Sequence, residues 1–246
     1  SAKHHLRQQG LEELTTAVAR CLDAGLAVVV DAHPNESPWV TADDHFDEFI
    51  AFWTALAPAL SKTDAERVFL EILNEPHNSA QDWPGALPRL VAAVRAGAPS
   101  HTIIATGEDW SNIPGLLALK PLADRNVVYT FHYYEPHTFT HQGATWGWPP
   151  WKSIKGLPYP ATPESVGPIA SEIKEPQARD AVLGYGRERW NRDRIRAQIQ
   201  RAAAWGRESH VPIYCGEFGA YAAFTPREAR LNWLGDAAAS LTEAKI

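Results

Sequence analysis

Apolar residues along the chain recur in two alternating periods. Leu11, Leu14, Val18, Cys21 and Leu22 fall at helical spacing, and Gly25 supplies the residue that ends such a helix, so a helix is predicted over 11–24. Residues 27–31 follow as a short strand closed by Ala32-His33-Pro34. Phe46, Phe49, Ile50, Trp53 and Leu56 share one face of a helix over 44–60. Val68–Leu73 is an apolar run with one charge, Glu71, and stops at Asn74-Glu75-Pro76, as a buried parallel strand does where proline cannot donate to the ladder. A helix over 82–98 takes Pro84 in its first turn, while Pro88 sits deeper and fits less easily. Strands are predicted at 102–106, 127–133 and 212–218, and a basic amphipathic helix over 192–209 turns Ile195, Ile199 and Ala202 inward. Thr225-Pro226-Arg227-Glu228 has the form of a capping box opening a last helix through Leu231 and Leu234.

Strands alternating with helices predict a parallel sheet in an α/β fold, and in such folds catalytic groups gather at the C-terminal ends of the strands. The exception to the alternation is 135–190, which is long, poor in regular pattern and rich in tryptophan and proline. Its aromatic content argues against disorder, and it is read as an irregular cleft wall. Gly107-Glu108-Asp109-Trp110 reads either as a solvated turn or as part of the rim beside Glu75.

Composition narrows the classes. With 246 residues, 45% of them hydrophobic, the chain reads as one domain, 1–246, with a core of its own. A net charge of −6 without a basic stripe argues against nucleic acid as a partner, and no apolar run approaches the ~20 residues of a membrane span. No secretory apolar segment opens the chain, so any leader is expected to have been removed or omitted. Cys21 and Cys215 fall in distant sectors of the predicted fold, which predicts no disulfide, and neither has metal-ligand spacing. Ten tryptophans are an excess, in part core and in part aromatic faces that stack on sugar rings.

Two strand ends carry a carboxylate, Glu75 after 68–73 and Glu217 in Pro212–Phe218. Paired carboxylates are what glycosidic cleavage requires. Asn74-Glu75-Pro76, His132-Tyr133-Tyr134 and Gly216-Glu217-Phe218-Gly219, in this order and each at a strand end, resemble glycoside hydrolase family 5, the retaining cellulases and mannanases built on a (β/α)8 barrel. The resemblance implies an α/β fold of the (β/α)8 TIM-barrel family, truncated at both ends. Five of the eight strands, the family's third to seventh, are visible, and the family's arginine on strand two and tryptophan on strand eight have no counterpart. It implies a partial catalytic domain, whose missing elements either lie outside this chain or are supplied otherwise, for instance by a partner copy.

The same resemblance implies Glu75 as general acid/base and Glu217 as nucleophile, ~5–5.5 Å apart as retention demands. Asn74 is expected to bond the sugar 2-OH, while His33, His132 and Tyr134 position sugar and nucleophile. Phe139–Trp146, FTHQGATW, resembles a segment of some bacterial members, which favours Trp146 or Trp148 as a sugar platform. The expected substrate is a β-linked polysaccharide or oligosaccharide cut by an endo-β-1,4-glucanase without metal or cofactor, in a secreted or periplasmic setting. β-Mannan and xyloglucan are the alternative substrates within the family. A barrel fragment that binds β-glucan without cutting it is the competing class, and exposed sheet edges add self-association as a further expectation.

Overall fold

A computed structural model describes residues 6–34, 43–77 and 82–246, with the side chains of 43 and 44 left aside. The strands are β1 (Val28–Asp31), β2 (Val68–Glu71), β3 (Ile103–Thr106), β4 (Val127–Tyr133) and β5 (Ile213–Phe218). They form one sheet in sequence order, β1-β2-β3-β4-β5. The register is parallel, with Val28 to Asp31 opposite Val68 to Glu71 and Ile103 to Thr106 opposite Val127 to Thr130. The fifth strand joins through the Tyr129 N–H, which donates to the Pro212 carbonyl at 3.0 Å. This is the β/α succession of a (β/α)8 barrel, with five of its strands among the described residues. The helices are α1 (Gln8–Asp23), α2 (Asp43–Leu60), α3 (Trp83–Gly97), α4 (Ile113–Ala118), α5 (His137–Thr140), α6 (Pro163–Glu172), α7 (Pro176–Arg187), α8 (Arg192–Ser209) and α9 (Arg227–Ala244).

The chain divides into two compact units, residues 1–131 with 206–214 and residues 132–205 with 215–246. In the first, β2 and β3 are buried on both sides, with Val68, Leu70, Ile72 and Ile103 sealed from solvent. Phe49, Trp53 and Leu60 of α2 and Leu87, Leu90 and Val94 of α3 complete this core. Both helices are tied to strand ends by an indole. Trp53 Nε1 donates to the Ile72 carbonyl and Trp83 Nε1 to the Thr106 carbonyl, each at 2.9 Å. Gly25 ends α1 as predicted. At φ 80° it is left-handed, and Leu26 N–H reaches back to Cys21 O, a Schellman closure.

At the N-terminal ends of β3 and β4 one cation does comparable work. Arg95, at the end of α3, pairs with Asp124 and also donates to the carbonyls of Ala98, Pro99, His101 and Asn126. Burial alone would raise the Asp124 pKa, but Arg95 and the Asn126 N–H outweigh it and hold the carboxyl below its usual range.

The second unit corrects two expectations. Residues 135–190 are not irregular, since they fold α5, a short 3₁₀ turn at Pro149–Ser153, and the packed pair α6 and α7. Pro149, Pro163 and Pro176 stand at the starts of helical segments, Pro168 lies inside α6, and Pro158 and Pro160 lie outside the helices. Thr162 caps α6 in a box with Ser165 and Pro163 opens it, and Glu175 caps α7 before Pro176. The predicted capping box at Thr225 does not form. Its hydroxyl donates back to the Tyr221 carbonyl, and α9 starts at Arg227 without a side-chain cap. Along α9 it is Trp233, Ala237 and Leu241 that are buried, while Leu231 is exposed. In the first unit Pro88 lies inside α3, which continues through it.

Cys21 and Cys215 are free thiols. No helix among the described residues is long and apolar enough to cross a membrane.

Arg95→Ala removes a guanidinium that satisfies four carbonyls and a carboxylate, and should cost about 2–4 kcal/mol in urea unfolding, with Arg95→Lys recovering only part. A second expectation concerns pH. His101 is buried, so desolvation, with the charge of Arg95 second, lowers its pKa from the ordinary 6.5. The unfolded chain therefore binds this proton first as pH falls, and stability should drop below about pH 6.5 down to the folded pKa. Above that window the group contributes no pH dependence. Thermal melts from pH 8 to 5, compared with a His101→Gln chain that lacks this slope, check it.

Candidate active site

Beyond Glu71 the second strand keeps its ladder for three more residues. Ile72 N–H donates to Ile104 O, and Asn74 N–H to Ala32 O. The buried amide of Asn74 donates through Nδ2 to His33 Nε2 at 3.1 Å. That assigns the imidazole proton to Nδ1, which donates to Asp31 Oδ2 at 3.0 Å. His33 and Asn74 thus form one hydrogen-bonded chain across the ends of β1 and β2. An amide nitrogen carries two hydrogens, so Asn74 has a second N–H beyond the one given to His33.

At Glu75 the backbone leaves the extended region, with φ 43°. A left-handed glutamate costs about 1–3 kcal/mol and persists only where its surroundings hold it. Two contacts do so. His77 Nδ1 donates to the Glu75 carbonyl at 2.8 Å, and the Trp110 N–H donates to the Pro76 carbonyl at 3.2 Å. The rings of His77 and Trp110 lie flat on one another, 4.7 Å apart and 9° from parallel. The loop after β3 is therefore rim rather than a detached turn. Asp109, Trp110 and Ser111 are all left-handed, and Asn112 ties Asp109 while capping α4. The loop closes tightly because Gly107 and Gly115 have no Cβ. One placed on Gly115 would sit 1.9 Å from the Glu108 carbonyl oxygen.

In the second unit, Glu217 lies within β5 and Tyr134 just past β4. Tyr134 O–H donates to Glu217 Oε2 at 2.8 Å, and the buried His132 brings Nδ1 to 3.6 Å from the same oxygen. One carboxylate oxygen is thus oriented from two sides. Cys215 donates to the Glu217 carbonyl, and burial pushes its thiol up to about 12, so it is no nucleophile near neutral pH. Tyr134 is fixed in turn by Thr140, whose hydroxyl donates to the Tyr134 carbonyl.

Among the described residues the tryptophans differ widely in exposure. Trp53, Trp83, Trp190 and Trp233 are buried, whereas Trp110, Trp146 and Trp148 are 48%, 52% and 37% exposed. Trp146 is braced edge-on by Tyr221, and Trp148 by Trp151, which also stacks on His137. Every site residue predicted from the sequence thus lies at a strand end or on an aromatic rim. His33, Asn74 and Glu75 come together in the first unit, and His132, Tyr134 and Glu217 in the second. The sequence reading missed His77, Tyr221 and His137. For His77 the available signal was its position directly after Asn74-Glu75-Pro76.

Chemically, the first unit offers a carboxylate on a clamped turn beside an amide donor, and the second a carboxylate oriented by tyrosine and histidine. A cellulase model of glycosyl hydrolase family 5 matches residues 1–245. Endoglucanase 3 of Fibrobacter succinogenes is 27% identical over 222 residues, 85% of this chain and 33% of that protein. Endoglucanase C of Acetivibrio thermocellus is 24% identical over 98% of this chain and 71% of its own length. Among solved structures, Thermotoga maritima Cel5A in complex with mannotriose superposes with a TM-score of 0.78 at 25% identity, covering 100% of this chain and 71% of that one. The chain thus spans about a third of the first relative and 71% of the other two.

Proposed function

The chain belongs to the cellulase family, glycosyl hydrolase family 5, and we propose that it is a retaining endo-β-1,4-glucanase, residues 1–246 working as one catalytic domain. The observation that carries the reading is Glu217, a strand-end carboxylate whose Oε2 is bonded by Tyr134 at 2.8 Å and faced by His132 at 3.6 Å. A carboxylate so fixed is prepared for in-line attack. Glu75 follows β2 of the same parallel sheet and takes the acid/base role. Relatives named endoglucanase support β-1,4-glucan as substrate.

In the first step Glu217 attacks the anomeric carbon while Glu75 gives its proton to the departing glycosidic oxygen. The C–O bond breaks and the sugar is held as an ester of Glu217. A water then enters, Glu75 takes its proton, the new oxygen bonds the anomeric carbon from the opposite face, and Glu217 departs as carboxylate. Two inversions give net retention, and both glutamates return to their starting states. Asn74 donates its second N–H to the sugar 2-OH, a bond that strengthens as positive charge builds on the ring. His33 holds Asn74 in place, His132 and Tyr134 hold Glu217, and Trp146 and Trp148 offer faces to sugar rings. Only these two carboxylates are needed for the proton and electron movements. The family setting supports a secreted or periplasmic location.

A β-mannanase is the second reading, favoured by the mannotriose-bound Thermotoga maritima neighbour. Reducing-sugar release from carboxymethyl cellulose and from β-mannan separates the two. Glu75→Gln should lower turnover about 10²–10⁴-fold, and Glu217→Gln at least as much. Full hydrolysis by Glu217→Gln would sink the assignment, and a folded wild-type chain that binds β-glucan without turnover would make it a binding module.

Self-association belongs to the same proposal, supported by Leu26 and Val29, 56% and 46% exposed at the β1 edge. Sedimentation should show a concentration-dependent dimer that Val29→Lys abolishes, whereas a wild-type monomer at all concentrations rules the association out.

A further inference from the structure

We propose that His77 is a positioning residue for Glu75, a clamp that sets the direction of the acid/base carboxyl by fixing the turn on which it rides; the inference rests on the acid/base reading of Glu75. Glu75 stands where the ladder of β2 has ended, at φ 43°, a conformation that a glutamate does not hold unaided. A rotation of this φ swings the Cα–Cβ bond, and with it the carboxyl, through distances that matter for proton transfer. Its carbonyl accepts from His77 Nδ1 at 2.8 Å.

That imidazole cannot drift, because its ring lies flat on Trp110, 4.7 Å away and 9° from parallel. Trp110 is itself anchored by its N–H to the Pro76 carbonyl, and by a run of left-handed residues tied through Asn112 to Asp109. The loop after β3 thereby grips the turn after β2 directly at the Pro76 carbonyl and, through the stacked ring of His77, at the Glu75 carbonyl. The bond also dictates a tautomer. With Nδ1 as donor, neutral His77 carries its proton on Nδ1, the less common form of free imidazole.

Two substitutions separate the components. His77→Phe keeps a flat ring against Trp110 and removes the donor, while His77→Asn removes the ring and keeps an N–H near the Nδ1 position. On cellotetraose, whose leaving group must be protonated, His77→Phe should lower kcat about 10- to 100-fold with KM within about twofold. On dinitrophenyl β-cellobioside, whose leaving group needs no proton, kcat/KM, which reports only the first step, should fall less than about threefold. His77→Asn should recover most of kcat on cellotetraose. Equal losses of kcat/KM on both substrates, or none on cellotetraose, overturn the proposal.

Glu75→Gln in the same assays separates the two layers of the argument. If it shows leaving-group dependence and His77→Phe does not, the clamp alone is wrong. If Glu75→Gln shows none, the acid/base reading falls and the clamp's role falls with it. Nitrogen NMR of the imidazole tests the clamp without turnover: an Nδ1–H tautomer at high pH supports it, and an Nε2–H tautomer overturns it.

Discussion

A parallel strand buried on both faces satisfies its own backbone only while its neighbours run beside it. Where the ladder stops, carbonyls and N–H groups are left in an apolar interior, where an unpaired group costs about 1–3 kcal/mol. The fold answers this at strand end after strand end with a side chain from another element. Trp53 closes the Ile72 carbonyl, Trp83 the Thr106 carbonyl and, in the second unit, Trp233 the Glu135 carbonyl. At the opposite ends of β3 and β4 the same duty falls to Arg95. An indole suits a buried carbonyl because it brings one donor on a large apolar body, so it fills the core and closes the hydrogen bond together. A guanidinium suits the loops before β3 and β4, where several carbonyls converge and its fork reaches them at once.

The strand ends that matter chemically are those where the closing group does more than fill a vacancy in the ladder. After β2 the backbone turns left-handed at Glu75, and the partners of the freed carbonyls are the ring of His77 and the amide of Trp110. After β4 Tyr134 turns its hydroxyl onto Glu217, and Thr140 holds the Tyr134 carbonyl from α5. The same need for partners that stabilises the sheet therefore fixes the functional groups on it. This also accounts for rigid carboxylates on loops and strand ends. They are hung from carbonyls that the core cannot leave open.

Much of this was legible in the sequence, and the limits have physical causes. The strands could be read because a run such as VFLEIL has no helical period and ends in a residue that cannot continue a ladder. Glu75 and Glu217 could be picked out because a lone carboxylate closing such a run has no structural reason to be there. The helices of 135–190 escaped because the segment shows little regular apolar pattern and is rich in proline, although Pro163 and Pro176 each open a helix at its first position. Thr225 misled for the opposite reason. The letters of a capping box were present, but the hydroxyl found a nearer acceptor at Tyr221. The stack of His77 on Trp110 joins residues from the turns after two strands, and no local pattern announces it.

The two carboxylates are built differently, and the difference matches the tasks proposed for them. A nucleophile must present one oxygen along one line, and departure from that line costs rate directly. Glu217 sits in regular extended backbone, and its Oε2 is met by Tyr134 and His132. An acid/base has to serve two partners in turn, first the departing oxygen and then the incoming water, which occupy closely similar positions on the same side of the sugar. What it needs is a fixed point of suspension rather than a fixed oxygen. Glu75 has such a point in its backbone, which is held at the Glu75 and Pro76 carbonyls. The side-chain clamp on Glu217 and the main-chain clamp on Glu75 both suit the roles proposed for them.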